Sequence, residues 1–194
     1  YELDSWKKEK RDTSKIKLPK FYPNDHKIVG DMADYAIEVE WFDKHLGEAV
    51  EYLKENDRFD NTLIIVTSDH GMPFPRCKSN LYDSGTRVPL AIRWGQKIKK
   101  GLEFKDFVSL TDLAPTFLQA ANVTAPIEMT GKSLLPALTG KGGLRKFILT
   151  GKERHVPSQE SPSMEGYPSR SYRDHNFLYI RNYSPNLWPN GTPN

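Results

Sequence analysis

The run Thr62-Leu63-Ile64-Ile65-Val66-Thr67 passes without interruption into Ser68-Asp69-His70-Gly71, and that junction constrains the fold more than any other stretch of the chain. Near-continuous β-branched and aliphatic character predicts a strand buried on both faces, of the kind found in the parallel sheets of α/β proteins. Ligands bind at the C-terminal ends of such strands. Asp69 and His70 fall at that end, and Gly71 lets the backbone turn without a Cβ penalty, so a carboxylate and an imidazole are presented together. Upstream, Met32, Tyr35, Val39, Phe42, Leu46 and Leu53 recur at helical spacing, which predicts an amphipathic helix from about Asp25 to Glu55. Asn56-Asp57 ends it, and Asp60-Asn61 turns the chain into the Thr62 strand. Helix followed by parallel strand is the unit of a doubly wound α/β fold.

Val88-Pro89-Leu90-Ala91-Ile92-Arg93-Trp94 predicts a second strand, with Pro89 at its start or on an edge. Asp112 is a suitable N-cap for a short helix over Leu113 to Ala121, where Pro115 falls in the first turn. Ser133 caps a further helical turn through Leu138. Beyond Gly140-Lys141-Gly142-Gly143 the character changes. Phe147-Ile148-Leu149-Thr150, Ser169 to Arg173 and Asn176 to Arg181, the last two joined across Asp174-His175, predict a small antiparallel sheet. The expected organisation is an extended linker over 1–24, a portion of an α/β core over 25–140, and an antiparallel subdomain over 141–194.

Composition narrows the partners. At 37% hydrophobic, 27% charged and 11% aromatic, the chain reads as globular and able to bury one core. The net charge of +3 is small and, apart from Lys7-Lys8-Glu9-Lys10-Arg11, scattered, so no nucleic-acid partner is expected. No apolar stretch is long enough to span a membrane, and no membrane partner is expected. The single cysteine, Cys77, excludes an intrachain disulfide and reads as inert. Asn122-Val123-Thr124, Asn182-Tyr183-Ser184 and Asn190-Gly191-Thr192 fit the N-glycosylation pattern, a tripeptide that arises often by chance.

Three segments carry a family likeness through their order and spacing: Thr67-Ser68-Asp69-His70-Gly71, then Tyr82-Asp83-Ser84-Gly85-Thr86-Arg87-Val88-Pro89-Leu90, then Leu110-Thr111-Asp112-Leu113-Ala114-Pro115-Thr116. Together they resemble the formylglycine-dependent sulfatases of the alkaline phosphatase superfamily. Within that family the chain is most similar to the heparan N-sulfatases, or sulfamidases. Gly71-Met72-Pro73-Phe74-Pro75, Lys78-Ser79-Asn80-Leu81-Tyr82, Gly131 to Leu138 and Tyr167-Pro168-Ser169-Arg170-Ser171 resemble sulfamidase segments in the same order. The implied fold is part of an alkaline-phosphatase-like doubly wound sheet followed by the small antiparallel subdomain. The family's nucleophile is a Cys or Ser in a Cys/Ser-x-Pro/Ala-x-Arg motif, and these residues contain none. Cys77 is followed by Lys78-Ser79-Asn80, and Gly166-Tyr167-Pro168-Ser169-Arg170 has glycine in the decisive place. The chain is therefore expected to be a C-terminal fragment, inactive alone, whose partner is the missing N-terminal half.

The resemblance also implies roles. Asp69 and His70 match the pair that helps hold one calcium ion, although calcium prefers oxygen and His70 is a softer donor. Lys78 matches the cation that contacts the sulfate and offsets charge building there during transfer. His155, in Lys152-Glu153-Arg154-His155, falls where sulfatases build the substrate pocket. Asp83, Gly85, Arg87 and Pro89 read as structural, and Arg76 as a surface side chain. The implied reaction removes sulfate from a sulfated glycan, with the N-sulfate of glucosamine foremost, and the implied setting is periplasmic, secreted or lysosomal. Two other readings stay open: a metal-dependent phosphodiesterase or phosphonate hydrolase of the same superfamily, and a non-catalytic glycan-binding fragment.

Overall fold

A computed structural model describes residues 3–154 and 165–188. It divides into two compact units, Tyr1–Asp60 and Asn61–Asn194.

The first unit is built on one long helix. A four-residue helix α1 (Ser5–Lys8) precedes α2 (His26–Glu55), whose N-terminus is capped where the sequence places it: the Asp25 carboxylate accepts from Lys27 N at 2.8 Å. Residues read as a linker are tied to that helix. Asp34, 2% exposed, accepts from the backbone N–H of Asp4 and of Trp6, each at 2.7 Å, and so satisfies donors at the start of α1 that the short helix leaves open. Of the apolar positions that predicted α2, Val39 and Phe42 are exposed, as are Trp41 and Tyr52.

The second unit holds both sheets. Strands β1 (Ile64–Thr67) and β2 (Leu90–Arg93) pair with each other, and β3 (Phe147–Lys152), β4 (Ser169–Asp174) and β5 (Leu178–Asn182) form a three-stranded antiparallel sheet in that order. The C-terminal sheet is the one expected, closed by a turn in which Asp174 Oδ1 accepts from Asn176 N and Phe177 N at 2.8 and 2.7 Å. The first sheet differs from expectation. β1 is half-buried along its length and pairs antiparallel with β2, Ile64 opposite Arg93 and Thr67 opposite Leu90. A parallel neighbour needs a crossover of a dozen or more residues, usually a helix. Between β1 and β2 the only α-helix is the single turn α3 (Asp83–Thr86), so the chain loops out and returns alongside itself.

Two further helices, α4 (Leu113–Ala120) and α5 (Leu135–Leu138), close the core around Trp94, Ile98, Leu134 and Leu138, with Leu90 and Ile92 of β2 packed against it. A buried carboxylate organises this part of the molecule. Asp112 is fully buried, and its side chain does not cap α4 as the sequence suggests. Instead it accepts from Ser109 N at 3.0 Å and from Lys132 N at 2.7 Å, and it is gripped by both terminal nitrogens of Arg145. Thr116, also fully buried, donates to Asp112 O at 2.6 Å and accepts from Leu134 N at 2.9 Å. Segments 109–116, 132–134 and 145 are thereby joined by polar groups that leave no oxygen of the carboxylate unpaired.

Burial alone would raise the pKa of Asp112, but Arg145 and the N–H groups of Lys132 and Ser109 outweigh it and hold the carboxyl below its ordinary value. A carboxylate whose folded pKa is depressed contributes stability fully above its unfolded pKa of about 4, and loses it as pH falls through the lower folded value. Removing one partner of such a buried pair costs about 3–5 kcal/mol. Asp112→Ala should therefore lower the urea midpoint of the second unit, read by tryptophan fluorescence, by an amount equivalent to that range at pH 7. The difference from wild type should shrink below about pH 4. A loss under about 1 kcal/mol would show that the cluster does not hold these segments together.

Candidate active site

The loop between β1 and β2 holds Asp69, His70 and Lys78, the residues the sequence singles out. At its start Thr67 Oγ1 donates to Pro89 O at 2.7 Å, which pins the end of β1 to the approach to β2. Ser68 Oγ donates to His70 O at 2.7 Å and curls the next residues into a tight turn. Within it His70 Nδ1 lies 2.8 Å from Gly71 O. A carbonyl only accepts, so Nδ1 carries the proton and Nε2 keeps its lone pair in the neutral ring. That Nε2 is 3.5 Å from Asp69 Oδ1, with the Asp69 side chain 85% exposed and that of His70 40% exposed. One oxygen and one nitrogen able to ligate a cation thus sit side by side on one turn.

The second half of the loop is folded against the first by backbone. Gly71 N donates to Gly85 O at 3.1 Å. A Cβ on Gly71 would lie 2.2 Å from Ser84 O, and one on Gly85 would lie 2.2 Å from Cys77 O and 2.3 Å from Asn80 O. No side chain fits at either position, so the two glycines are required by close approach. Lys78 N donates to Met72 O at 2.9 Å, which places the lysine in the same compact loop as Asp69 and His70. The lysine is half-buried, and no side chain among the described residues pairs with its ammonium. On either side of it, Arg76 and Ser79 both have φ 65°, left-handed values that cost non-glycine residues energy. Cys77 is fully buried, in keeping with an inert thiol, and the Arg76 guanidinium lies 4.7 Å from the centre of the Tyr82 ring.

Two long-range contacts bind this loop to the C-terminal sheet. Arg173 on β4 makes a two-pronged ion pair with Asp83, Nε to Oδ1 at 2.8 Å and a terminal nitrogen to Oδ2 at 2.9 Å. That hydrogen bonding leads the lowering of the Asp83 pKa below the ordinary carboxylate value. Lys152 at the end of β3 donates from Nζ to Ser79 O at 2.9 Å. Both lie on the face of the sheet that carries the buried Ser169 and Ser171, as the cross-strand pairs Lys152 with Ser169 and Ile148 with Arg173 require. Asp83 therefore has the structural part expected of it, whereas Lys152 and Arg173 were not singled out from sequence. Their partners are 73 and 90 positions away and leave no local pattern.

His155 lies outside the described residues. Of the remaining histidines, His45 contacts Glu48 at 2.9 Å on α2, and His175 contacts Asp106 at 3.1 Å. No group of three or more His, Cys, Asp or Glu side chains gathers as a metal cage among the described residues. Asp69 and His70 fit a share of a cation site, and a hard cation with six to eight ligands needs further oxygens than this turn supplies.

The sulfatase family profile matches residues 6–123. The chain belongs to the sulfatase family. It is 30% identical to the human N-sulphoglucosamine sulphohydrolase over 93% of its own length and 36% of that protein's. Among solved structures it resembles the phosphonate monoester hydrolase from Silicibacter pomeroyi, with a TM-score of 0.71 and 27% identity over 88% of this chain and 36% of that one. It also resembles a protein solved with its substrate D-glucosamine-2-N,6-O-disulfate, with a TM-score of 0.64 and 27% identity over 84% of this chain and 34% of that one. The chain spans about a third of the length of the curated relatives it matches. The mixed helix and strand architecture is that of alkaline-phosphatase-like sulfatases. No helix among the described residues is long and apolar enough to cross a membrane.

The close packing at Gly85 has a direct test. Gly85→Ala must push apart backbone at Cys77 and Asn80, so amide resonances from Met72 to Thr86 should shift while those around Asp112 keep their positions. Unchanged spectra in the 72–86 segment would contradict the contact.

Proposed function

We propose that these residues form the cation- and sulfate-holding face of a sulfatase that acts on a sulfated glycan, with the N-sulfate of glucosamine as the group removed. The observation that carries this reading is the half-buried Lys78 ammonium, without a side-chain partner among the described residues, in one loop with the paired donors Asp69 and His70. A half-buried cation with no carboxylate beside it suits an anionic ligand. The human relative named for N-sulphoglucosamine, and the structural relative holding a 2-N,6-O-disulfated glucosamine, support the choice of glycan.

In this account Lys78 donates to the sulfuryl oxygens and opposes the charge that builds there as the sulfur–nitrogen bond breaks. Asp69 and Nε2 of His70 would hold a calcium ion together with further ligands, the contact of Nδ1 with Gly71 O leaving Nε2 available as a donor. Calcium, when bound, neutralises the sulfate and orients it. The 194 residues contain no Cys/Ser-x-Pro/Ala-x-Arg motif, so this reading takes the formylglycine nucleophile from elsewhere and assigns His155 to the substrate. The 194 residues alone should turn over neither aryl sulfates nor N-sulfoglucosamine, and turnover above background by the pure chain would contradict the account.

In the enzyme complete with its nucleophile, Lys78→Ala should lower turnover of N-sulfoglucosamine roughly a hundredfold without a comparable change in melting temperature. Asp69→Ala should lose at least as much and be partly restored by excess calcium. Near-normal turnover by Lys78→Ala would place the sulfate contact elsewhere. The likeness to a phosphonate monoester hydrolase motivates a second reading, in which the same loop holds a phosphonate ester. Comparing kcat/KM for an aryl phosphonate monoester with that for N-sulfoglucosamine separates the two. A higher value on the phosphonate favours the second.

A further inference from the structure

We infer that Lys152 is a positioning residue for Lys78: its ammonium, at the end of β3, fixes the strained turn from which Lys78 projects by holding the Ser79 carbonyl. The inference rests on the sulfate-contact role proposed for Lys78.

Three observations carry it. Ser79 follows Lys78 directly and has φ 65°, and Arg76, two residues before Lys78, has the same value. A turn with two non-glycine residues in the left-handed region does not hold that shape by local preference, and each such residue costs on the order of 1 kcal/mol or more. The shape must be imposed by surrounding bonds. Backbone bonds close the turn, Asn80 N to Cys77 O at 3.1 Å and Lys78 N to Met72 O at 2.9 Å, and three side chains hold its carbonyls: Ser84 Oγ donates to Arg76 O at 2.7 Å, Asn80 Nδ2 donates to Lys78 O at 3.1 Å, and Lys152 Nζ donates to Ser79 O at 2.9 Å. Of the three, only Lys152 comes from outside the loop. It is also the only charged donor, so its bond is the strongest kind available to a carbonyl.

Lys152 is suited to the task by its placement. It is half-buried on the inner face of the three-stranded sheet, opposite Ser169, at the end of a strand whose pairing with β4 fixes its backbone. Burial lowers its pKa below the ordinary lysine value, yet a carbonyl partner keeps the ammonium hydrogen-bonded. Arg173 on the same face anchors Asp83, at the far end of the loop. The sheet thus grips the loop at two places, and the grip at Ser79 is adjacent to the lysine proposed to act on sulfate.

The test uses the complete sulfatase and five variants, with a sixth in reserve. Lys152→Met, which keeps the apolar stem and removes the donor, should lower kcat roughly tenfold to a hundredfold, as a misplaced contact group does, with a smaller change in KM. Lys152→Arg, which keeps a charged donor, should recover most of that loss. In a Lys78→Ala background Lys152→Met should cost little more, since it acts through the lysine already removed. Adding Ser79→Gly to Lys152→Met should restore part of kcat, because glycine adopts the left-handed conformation without help. Where Lys152→Met does not fold, Lys152→Gln, whose amide is too short to reach Ser79 O, serves in its place. Additive losses in the Lys78→Ala background, or no rescue by Ser79→Gly, would overturn the inference and make Lys152 an independent contact or a general stabiliser. If Lys78→Ala alone leaves turnover intact, the fault lies with the role of Lys78. If Lys78→Ala is damaging and Lys152→Met is neutral, only the positioning claim fails.

Discussion

The approach of Gly71 to Gly85 leaves no room for a single added carbon. Backbone oxygens of Ser84, Cys77 and Asn80 lie 2.2 to 2.3 Å from where side chains at these positions would begin. This contact folds the long connection between β1 and β2 onto itself, so that Asp69, His70 and Lys78 belong to one object. Without it the donors at the end of β1 and the cation several residues later would hang on separate arms of a loop. Glycine at both positions brings sequence neighbours of modest spacing into one compact loop.

That object is supported from behind by two different kinds of polar contact. Asp112 is fully buried and spends its oxygens on Ser109, Lys132 and Arg145, which ties the α4 and α5 region into one core beside β2. Asp83 and Ser79, by contrast, are partly exposed positions on the loop itself and are held by Arg173 and Lys152 from the C-terminal sheet. The first arrangement stabilises; the second connects. A sheet that looked like an appended subdomain in the sequence is therefore part of how the loop keeps its shape, and the charged residues on its inner face have partners to explain them.

Much of this was legible in the residues. The long helix with Asp25 at its head, the strand running into Asp69 and His70, and the C-terminal strands around Asp174 all carry local signals of periodicity, capping or turn chemistry, and all are present. The direction of pairing of β1 was not legible. A continuous apolar run resembles a parallel strand, but direction is decided by the connection, and the loop from Ser68 to Pro89 contains no crossover helix. Asp112 also exceeded its local signal: as a residue before a helix it reads as a cap, and only the fold brings Lys132 and Arg145 to it. Lys152 and Arg173 were invisible for the same reason, since a contact across 73 or 90 residues has no periodicity to find.

The central claim is that one loop presents Asp69 and His70 to a cation and Lys78 to the sulfate. A crystal structure of the complete enzyme with calcium and a bound N-sulfated glucosamine would test it most directly. The account predicts Lys78 Nζ within about 3.2 Å of a sulfate oxygen. It also predicts a metal peak in contact with both an Asp69 carboxylate oxygen and His70 Nε2. A sulfate held by other cations with Lys78 turned to solvent, or a metal bound without Asp69, would contradict it.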